Sequence, residues 1–551
     1  MKSSLFKIGP ALFLLAAPWW APHTQTLLGR NLFLAADSMV ALGLALLLGV
    51  LFEKILPDSL VGAAERIAGF VRRNFAGFSF LFLLGTLAGL YAVNRLILHS
   101  FMSSADEHSC YFLAECLRLG KWFIKPHELS EFFNVVHVGN RDGKWFSVYP
   151  PGWPLILALG LEWGIRDWLN PILCTLSLIF FFLSGKKVYG FTAAWFGILL
   201  MTVSPFFAFT GASYFSHGTC LFSISIFLYA FLQWREKRSE GQGIFWSSLA
   251  AFALGYGLNT RYLTMVAVAL PFLIYYFFRI ATKRLRWTKS DTFFVVILTI
   301  MTSLVFLHNY TVTGKVFKAP NRYDKGWERL GFHSDYTILD AAIYVLARFF
   351  YLANWFPSAL IALFLISFFR AKDHDLMKRL FRFGFFYLVI AYVFYYSWGG
   401  NQYGPRYYYE GLPFLALALG ERLVFWWREG AQPVRKFLLG VLLVSVATSV
   451  YLFDKQGRFF ETVSRERKAL YELADKTLEH PSIVFIKGFL GDKLVMAEED
   501  AVRNSPRLDA KVLYAHDLGE KNRLLEAYYP DREFYRGTFD RTRKEAKLER
   551  L

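Results

Sequence analysis

Cysteine is scarce in this chain: four in 551 residues, Cys110, Cys116, Cys174 and Cys220. Cys174 and Cys220 lie in apolar runs, and Cys110 and Cys116 share one expected helix six residues apart, which turns them to different faces. No disulfide framework and no zinc-ligand spacing follows, so no metal is expected. The sequence also lacks a phosphate-cradling glycine loop, a metalloprotease helix and a nucleophilic serine elbow. Low-complexity tracts and short-period repeats are missing too. After Lys2 and Lys7, Pro18-Trp19-Trp20 and His23 stand where a cleavage signal would carry small residues, so the first apolar run is expected to be a retained span. Acidic residues are outnumbered 43 to 61 by Lys and Arg, a formal net charge of +18.

What is abundant is apolar and aromatic: 55% and 19% of residues, with mean hydropathy +0.33. Lipid-facing positions require apolar residues in addition to core positions, so a bilayer explains this excess better than a soluble core. The positive charge then points to basic cytoplasmic loops and anionic headgroups, and no nucleic-acid partner is expected. Apolar runs at 8–22, 33–52, 77–98, 168–185, 191–210, 218–234, 244–258, 263–280, 291–310, 342–369, 383–398, 409–427 and 437–453 predict an α-helical polytopic membrane protein with about 13 transmembrane helices. Lys and Arg gather in one alternate set of loops, Lys186-Lys187, 235–238, 283–289, 370–382 and 428–436, while the 211–217 turn has none. That asymmetry places the N-terminus in the cytoplasm and the tail outside, in a multi-pass inner-membrane protein.

Three parts are expected. Residues 1–76 hold two additional N-terminal spans and a cytoplasmic linker. Residues 77–453 form the membrane body, with long outer loops at 99–167 and 311–341. Residues 454–551 form an extracytoplasmic α/β appendage, with strand cores at 483–486 and 512–514 and helical stretches at 462–479 and 519–528.

Five constellations fall on the expected outer side. Asp106-Glu107 follows the 77–98 span; Asp106 could cap a short helix, or act as general base on an acceptor hydroxyl. Tyr149-Pro150-Pro151-Gly152-Trp153-Pro154 is a stiff entry to an apolar helix. Ser213-Tyr-Phe-Ser-His217 is an outward turn whose imidazole is either an interfacial polar group or a contact to phosphate or acceptor. Asn259-Thr260-Arg261-Tyr262 puts a guanidinium between two apolar runs, snorkelling to the interface or meeting a lipid phosphate. Trp398-Gly-Gly-Asn401-Gln-Tyr403-Gly404-Pro405-Arg406-Tyr407 is either an aromatic belt with an anchoring arginine or a shaped phosphate contact. The second long loop adds Lys315, Lys318, Arg322, Lys325 and Arg329.

The order of these segments, with Ser204-Pro-Phe-Phe before the third, resembles the GT-C membrane glycosyltransferases. The resemblance is nearest to family 39-like bacterial members related to protein O-mannosyltransferases and the lipid A aminoarabinose transferase, and it covers about residues 77–453. It implies inverting transfer of a sugar from a polyprenyl-phosphate donor to a lipid, glycan or protein acceptor at the outer face of the bacterial cytoplasmic membrane, without a cofactor. It implies Asp106, with Glu107 beside it, as catalytic. Arg261, Arg406, His217, Tyr149, Tyr403 and Tyr407 would bind substrate. His217 stands where some relatives carry an acid. The alternative is a lipid-linked saccharide transporter or flippase without bond chemistry. It would also need cations against a lipid phosphate.

Overall fold

The computed structural model describes residues 2–239, 241–324, 330–370, 375–397, 402–486, 501–540 and 543–551. It is a mostly helical, multi-pass membrane protein. Among the described residues, six helices are long and apolar enough to cross a bilayer: Ala36–Ile55, Phe75–Ile97, Arg166–Tyr189, Gln242–Ala281, Lys289–Thr313 and Gln432–Thr477. The pair Phe191–Thr202 and Pro205–Ala212, bent by 67° at Val203-Ser204, makes a seventh if read as one broken span.

This is fewer than the thirteen runs in the sequence, for physical reasons. Pro357 divides the 342–369 run into Ile338–Leu352 and Ser358–Arg370. Lys378, Arg379 and Arg382 charge the first turns of Leu376–Val393, and Glu421 and Arg422 interrupt Leu412–Glu429. Ser, Thr, His and Gln dilute His217–Lys237, most of which is buried between its neighbours. The expected runs 244–258 and 263–280 lie in one 40-residue helix, Gln242–Ala281, with non-helical backbone at Arg261 (φ −147°, ψ 83°). The chain doubles back there. A Cβ on Gly257 would lie 2.6 Å from Met265 Sδ, whereas a straight helix keeps residues eight apart about 12 Å apart. Both arms also return to the same end of the neighbouring helix, Trp246 packing on Tyr229 and Tyr276 on Trp234.

The basic segments meet at one end of the bundle. There Lys187 pairs with Glu236 at 2.5 Å, Lys436 with Asp58 at 2.6 Å and Arg238 with Asp291 at 2.7 Å. The opposite end carries the long connections. In the 99–167 segment, strands β1 (Val138–Arg141) and β2 (Lys144–Ser147) form an antiparallel hairpin beside the helices Ala105–Arg118 and Gly152–Glu162.

The tail builds a four-stranded sheet in the order β4 (Val512–His516), β3 (Ser482–Ile486), β5 (Glu533–Asp540), β6 (Glu545–Arg550). β3 runs parallel to β4 and β5, and β5 antiparallel to β6. No helix boundary falls at residue 454, because Gln432–Thr477 runs unbroken for 46 residues from the bundle to the sheet. One sheet face packs on Leu470, Ala474 and Leu478 of that helix. Ile483, Phe485, Leu513 and Leu525 share a core with Phe112, Leu113, Cys116, Phe132 and Trp145. Tail and first long connection are therefore one packed body. Cys110, on the other face of Ala105–Arg118, packs with Trp153 and Tyr214, and all four cysteines are free and buried.

Candidate active site

Ser104, not Asp106, is the N-cap of Ala105–Arg118. Its Oγ accepts from the Glu107 N–H at 3.2 Å, and Glu107 Oε2 accepts from the Ser104 N–H at 3.0 Å. This is a capping box. Glu107 Oε1 accepts from the Tyr214 N–H at 2.9 Å, and the Tyr214 carbonyl accepts from Trp153 Nε1 at 2.7 Å. Glu107 is 1% exposed and does not line the cavity described below. Its work here is structural: it ties the 213–217 turn to the helix start.

Burial pushes the Glu107 carboxyl up to about 7, against the pull of the Tyr214 and Ser104 N–H groups and of Arg503. A carboxyl raised in the folded state favours the protonated form. Its contribution to stability is thus full below the unfolded value, near 4.5, and is lost as pH rises through about 7. Between about pH 5 and pH 8 the melting temperature of the wild type should fall relative to that of Glu107→Gln, which has no proton to lose. Thermal melts at matched ionic strength test this, and parallel pH profiles would refute it.

Because Glu107 closes the box, Asp106 in the first turn points into a cavity of about 1040 Å³. Arg406 Nη1 and Nη2 each donate to Asp106 Oδ2 at 3.2 Å, and Tyr149 Oη donates to Oδ1. Burial alone would raise the Asp106 carboxyl. The charges of Arg406 and His137 and the hydrogen bonds from Tyr149 and Arg406 overcome it and hold the group well below the usual carboxylate range. Burial and the adjacent carboxylate drive the Tyr149 phenol far upward, so it stays a donor.

Arg406 opens the turn Arg406–Gly411, and its guanidinium lies 4.6 Å over the Phe215 ring. The backbone before it reverses sharply, with φ +62° at Tyr403 and +107° at Gly404. A Cβ on Gly404 would come within 2.7 Å of the Phe206 ring, so only glycine fits. Tyr403 is fully buried against Phe460 and does not line the cavity.

Arg261 occupies the reversal of Gln242–Ala281. Its Nη1 donates to Ser216 Oγ at 3.3 Å and its Nη2 to Tyr392 Oη at 3.5 Å. Its Nε lies 3.4 Å from Glu410 Oε1, and that same oxygen is 2.9 Å from His217 Nδ1. Glu410 and His217 are 0% exposed. His217 is therefore beneath the cavity floor rather than on its surface. Tyr407 lines the cavity, stacked on Tyr392 at 4.4 Å and 4°.

The Pro150-Pro151-Gly152 turn presses on the reversal. A Cβ on Gly152 would sit 2.3 Å from Thr260 Oγ1 and 2.7 Å from the Asn259 carbonyl, while the Gly152 carbonyl accepts from Tyr256 Oη at 2.6 Å. Gly152→Ala should cost about 1–3 kcal/mol by overpacking and displace Arg261, read as a lower melting temperature. Unchanged melting would show that the turn is loose.

Asp106, Tyr149, Arg261, Arg406 and Tyr407 thus share one cavity, while Glu107, His217 and Tyr403 stand behind its wall. Sequence reasoning missed Glu410, and also His308, a buried imidazole that lines the cavity beside Tyr149. Exposed apolar side chains stand at the cavity rim, Phe317 at 86% exposure, Leu330 at 61% and Phe332 at 43%, beside the exposed Arg322. Trp398, Gly399, Gly400, Asn401, Lys325 and Arg329 lie outside the described residues. No group of three or more His, Cys, Asp and Glu side chains able to hold a metal occurs among the described residues.

No known protein family and no curated protein matches this chain. Among solved structures it is similar to ArnT from Cupriavidus metallidurans in the apo state, at 14% identity and TM-score 0.49, over 85% of this chain and 94% of that one. The same protein bound to undecaprenyl phosphate matches at 14% identity and TM-score 0.47, over the same shares. The Archaeoglobus fulgidus oligosaccharyltransferase in complex with zinc and sulfate matches at 13% identity and TM-score 0.45, over 74% of this chain and 60% of that one.

Proposed function

We propose that the chain is a glycosyltransferase that moves a sugar from a polyprenyl-phosphate donor to an acceptor hydroxyl at the outer face of the cytoplasmic membrane. The observation that carries this reading is the convergence of one carboxylate, Asp106, and two guanidiniums, Arg261 and Arg406, on one cavity with exposed apolar side chains at its rim. The basic loops gather at the opposite end of the bundle; in this reading that end is cytoplasmic, by the bias of Lys and Arg toward the inner side, and the cavity end external.

In this reading the polyprenyl tail lies along those apolar side chains and the phosphodiester rests against Arg261 and Arg406. Asp106 accepts the proton of the acceptor hydroxyl as its oxygen attacks the anomeric carbon. The bond from that carbon to the phosphate oxygen breaks, and its electron pair leaves on polyprenyl phosphate. One displacement inverts the anomeric centre. The two guanidiniums stabilise charge developing on the leaving phosphate, and Tyr149 orients the carboxylate. The reading requires no cofactor.

The test is transfer of labelled sugar by the purified protein from polyprenyl-phosphate donors to a membrane-extract acceptor pool. Labelled product with inverted anomeric configuration is expected. Movement of donor across vesicles with its sugar–phosphate bond intact would replace this reading with that of a transporter.

A further inference from the structure

The two guanidiniums at the cavity are held differently. Arg261 is paired with Glu410, which is wholly enclosed, shared with His217 and 0% exposed. Arg406 is paired with Asp106, whose side chain is 22% exposed and faces the cavity. The pairing is also lopsided: of the two Asp106 oxygens, Oδ2 accepts from both Nη1 and Nη2 of Arg406, and Oδ1 accepts from Tyr149. A guanidinium meets a phosphate through two oxygens in parallel, a better match to its planar fork.

Charge counting sharpens the contrast. With no lipid present, two guanidiniums balance two carboxylates. A sugar phosphodiester adds one negative charge to a site whose two guanidiniums are largely buried. Of the other basic side chains lining the cavity, Arg322 is exposed and screened by solvent, and His137 already faces Asp106. The incoming charge must then take a guanidinium from one carboxylate. Glu410 has nowhere to turn, whereas Asp106 opens on the cavity. The Phe215 ring, held through the Tyr214 backbone by Glu107 and Trp153, gives Arg406 a flat face along which to move without losing its cation–π contact.

We propose that the donor phosphate and Asp106 compete for Arg406, so that donor binding releases the Asp106 carboxylate to the acceptor and sets a donor-first order. This rests on the donor assignment made above. Its chemical sense is direct. While paired, Asp106 is a poor base, because Arg406 stabilises its ionised form. Once Arg406 turns to phosphate, the carboxylate regains proton affinity next to the sugar it must serve.

The experiment measures binding of undecaprenyl phosphate, with undecaprenol as the tail-only control, to the full-length protein in nanodiscs. Asp106→Asn should bind undecaprenyl phosphate about tenfold more tightly than wild type and undecaprenol equally, because removing a competitor frees its ligand. Simple relief of repulsion would also tighten binding, so the Arg406→Gln background decides: there, adding Asp106→Asn should give only that residual gain, clearly smaller than in the wild-type background. A gain of the same size in both backgrounds, or none in either, overturns the exchange. Independently of the Arg406 variant, difference infrared spectra of wild type against Asp106→Asn should show the Asp106 carboxylate stretch shifting when undecaprenyl phosphate is added; an unmoved band overturns the proposal. Failure of wild type and every variant to bind undecaprenyl phosphate beyond undecaprenol would remove the donor assignment itself, and the exchange with it.

Discussion

Asp106→Asn should lower sugar transfer by about a thousandfold, within the range a positioned general base supplies. Asn keeps the volume and can still accept from Tyr149 Oη, so the loss reports the missing charge and proton acceptor rather than a collapsed site. The fall should lie in kcat, with KM for the donor no higher than in wild type. Asp106→Glu keeps the charge on a longer stem and should recover only part of the rate, since placement matters as much as basicity. The measurement is steady-state transfer at saturating donor. A kcat for Asp106→Asn within about tenfold of wild type would remove Asp106 from the role of base.

The second large effect belongs to Arg261. Removing its guanidinium leaves Glu410 buried without a cation, with His217 and the Cys220 thiol beside it, and breaking a buried pair from one side costs about 3–5 kcal/mol. Arg261→Ala should therefore melt well below wild type and also lose phosphate affinity. The two losses can be separated. In Arg261→Ala combined with Glu410→Gln the stranded charge is gone, so most of the stability should return while donor affinity stays low. Thermal melts in detergent and binding of undecaprenyl phosphate measure the two quantities. If the double variant melts no higher than Arg261→Ala, the Arg261–Glu410 contact is not a coupled pair.

Much of the architecture was legible in the sequence because it follows from one-dimensional patterns. Apolar runs mark helices, lysines and arginines mark one end of the bundle, and Asn259-Thr-Arg-Tyr between two apolar runs marks the reversal at Arg261. Strands occupy the two apolar cores of the tail, whereas β5 and β6, written in charged and small residues, gave no such signal.

The site was legible only in part. Asp106, Arg261 and Arg406 stand out as charges beside aromatic or bent segments. Glu410 does not, because its meaning arises only when three distant segments bring His217 and Arg261 onto one of its oxygens. Glu107 could have been separated from Asp106 earlier. Ser104-Ala-Asp-Glu107 has the spacing of a capping box, which assigns the second carboxylate to the backbone and leaves the first free. His217 and Tyr403 read as surface groups because an outward turn implies exposure, but tertiary packing covers them both.

The 46-residue helix Gln432–Thr477 is about 69 Å long at 1.5 Å per residue, more than twice the roughly 30 Å hydrocarbon thickness of a bilayer. Its upper half is a mast. Arg467 donates to the Ser103 carbonyl, Ser464 Oγ stands 3.3 Å from Ser103 Oγ, and Glu461 pairs with His99, so the mast is lashed to the few residues that lead into Asp106. Asp106 consequently keeps a fixed height along the Gln432–Thr477 helix, set by a count of helical turns. A thicker or thinner bilayer tilts the mast rather than stretching it, and the tilt carries the Asp106 side of the cavity with it. The same rod that anchors the tail thereby also ties the start of the Asp106 helix to the bundle.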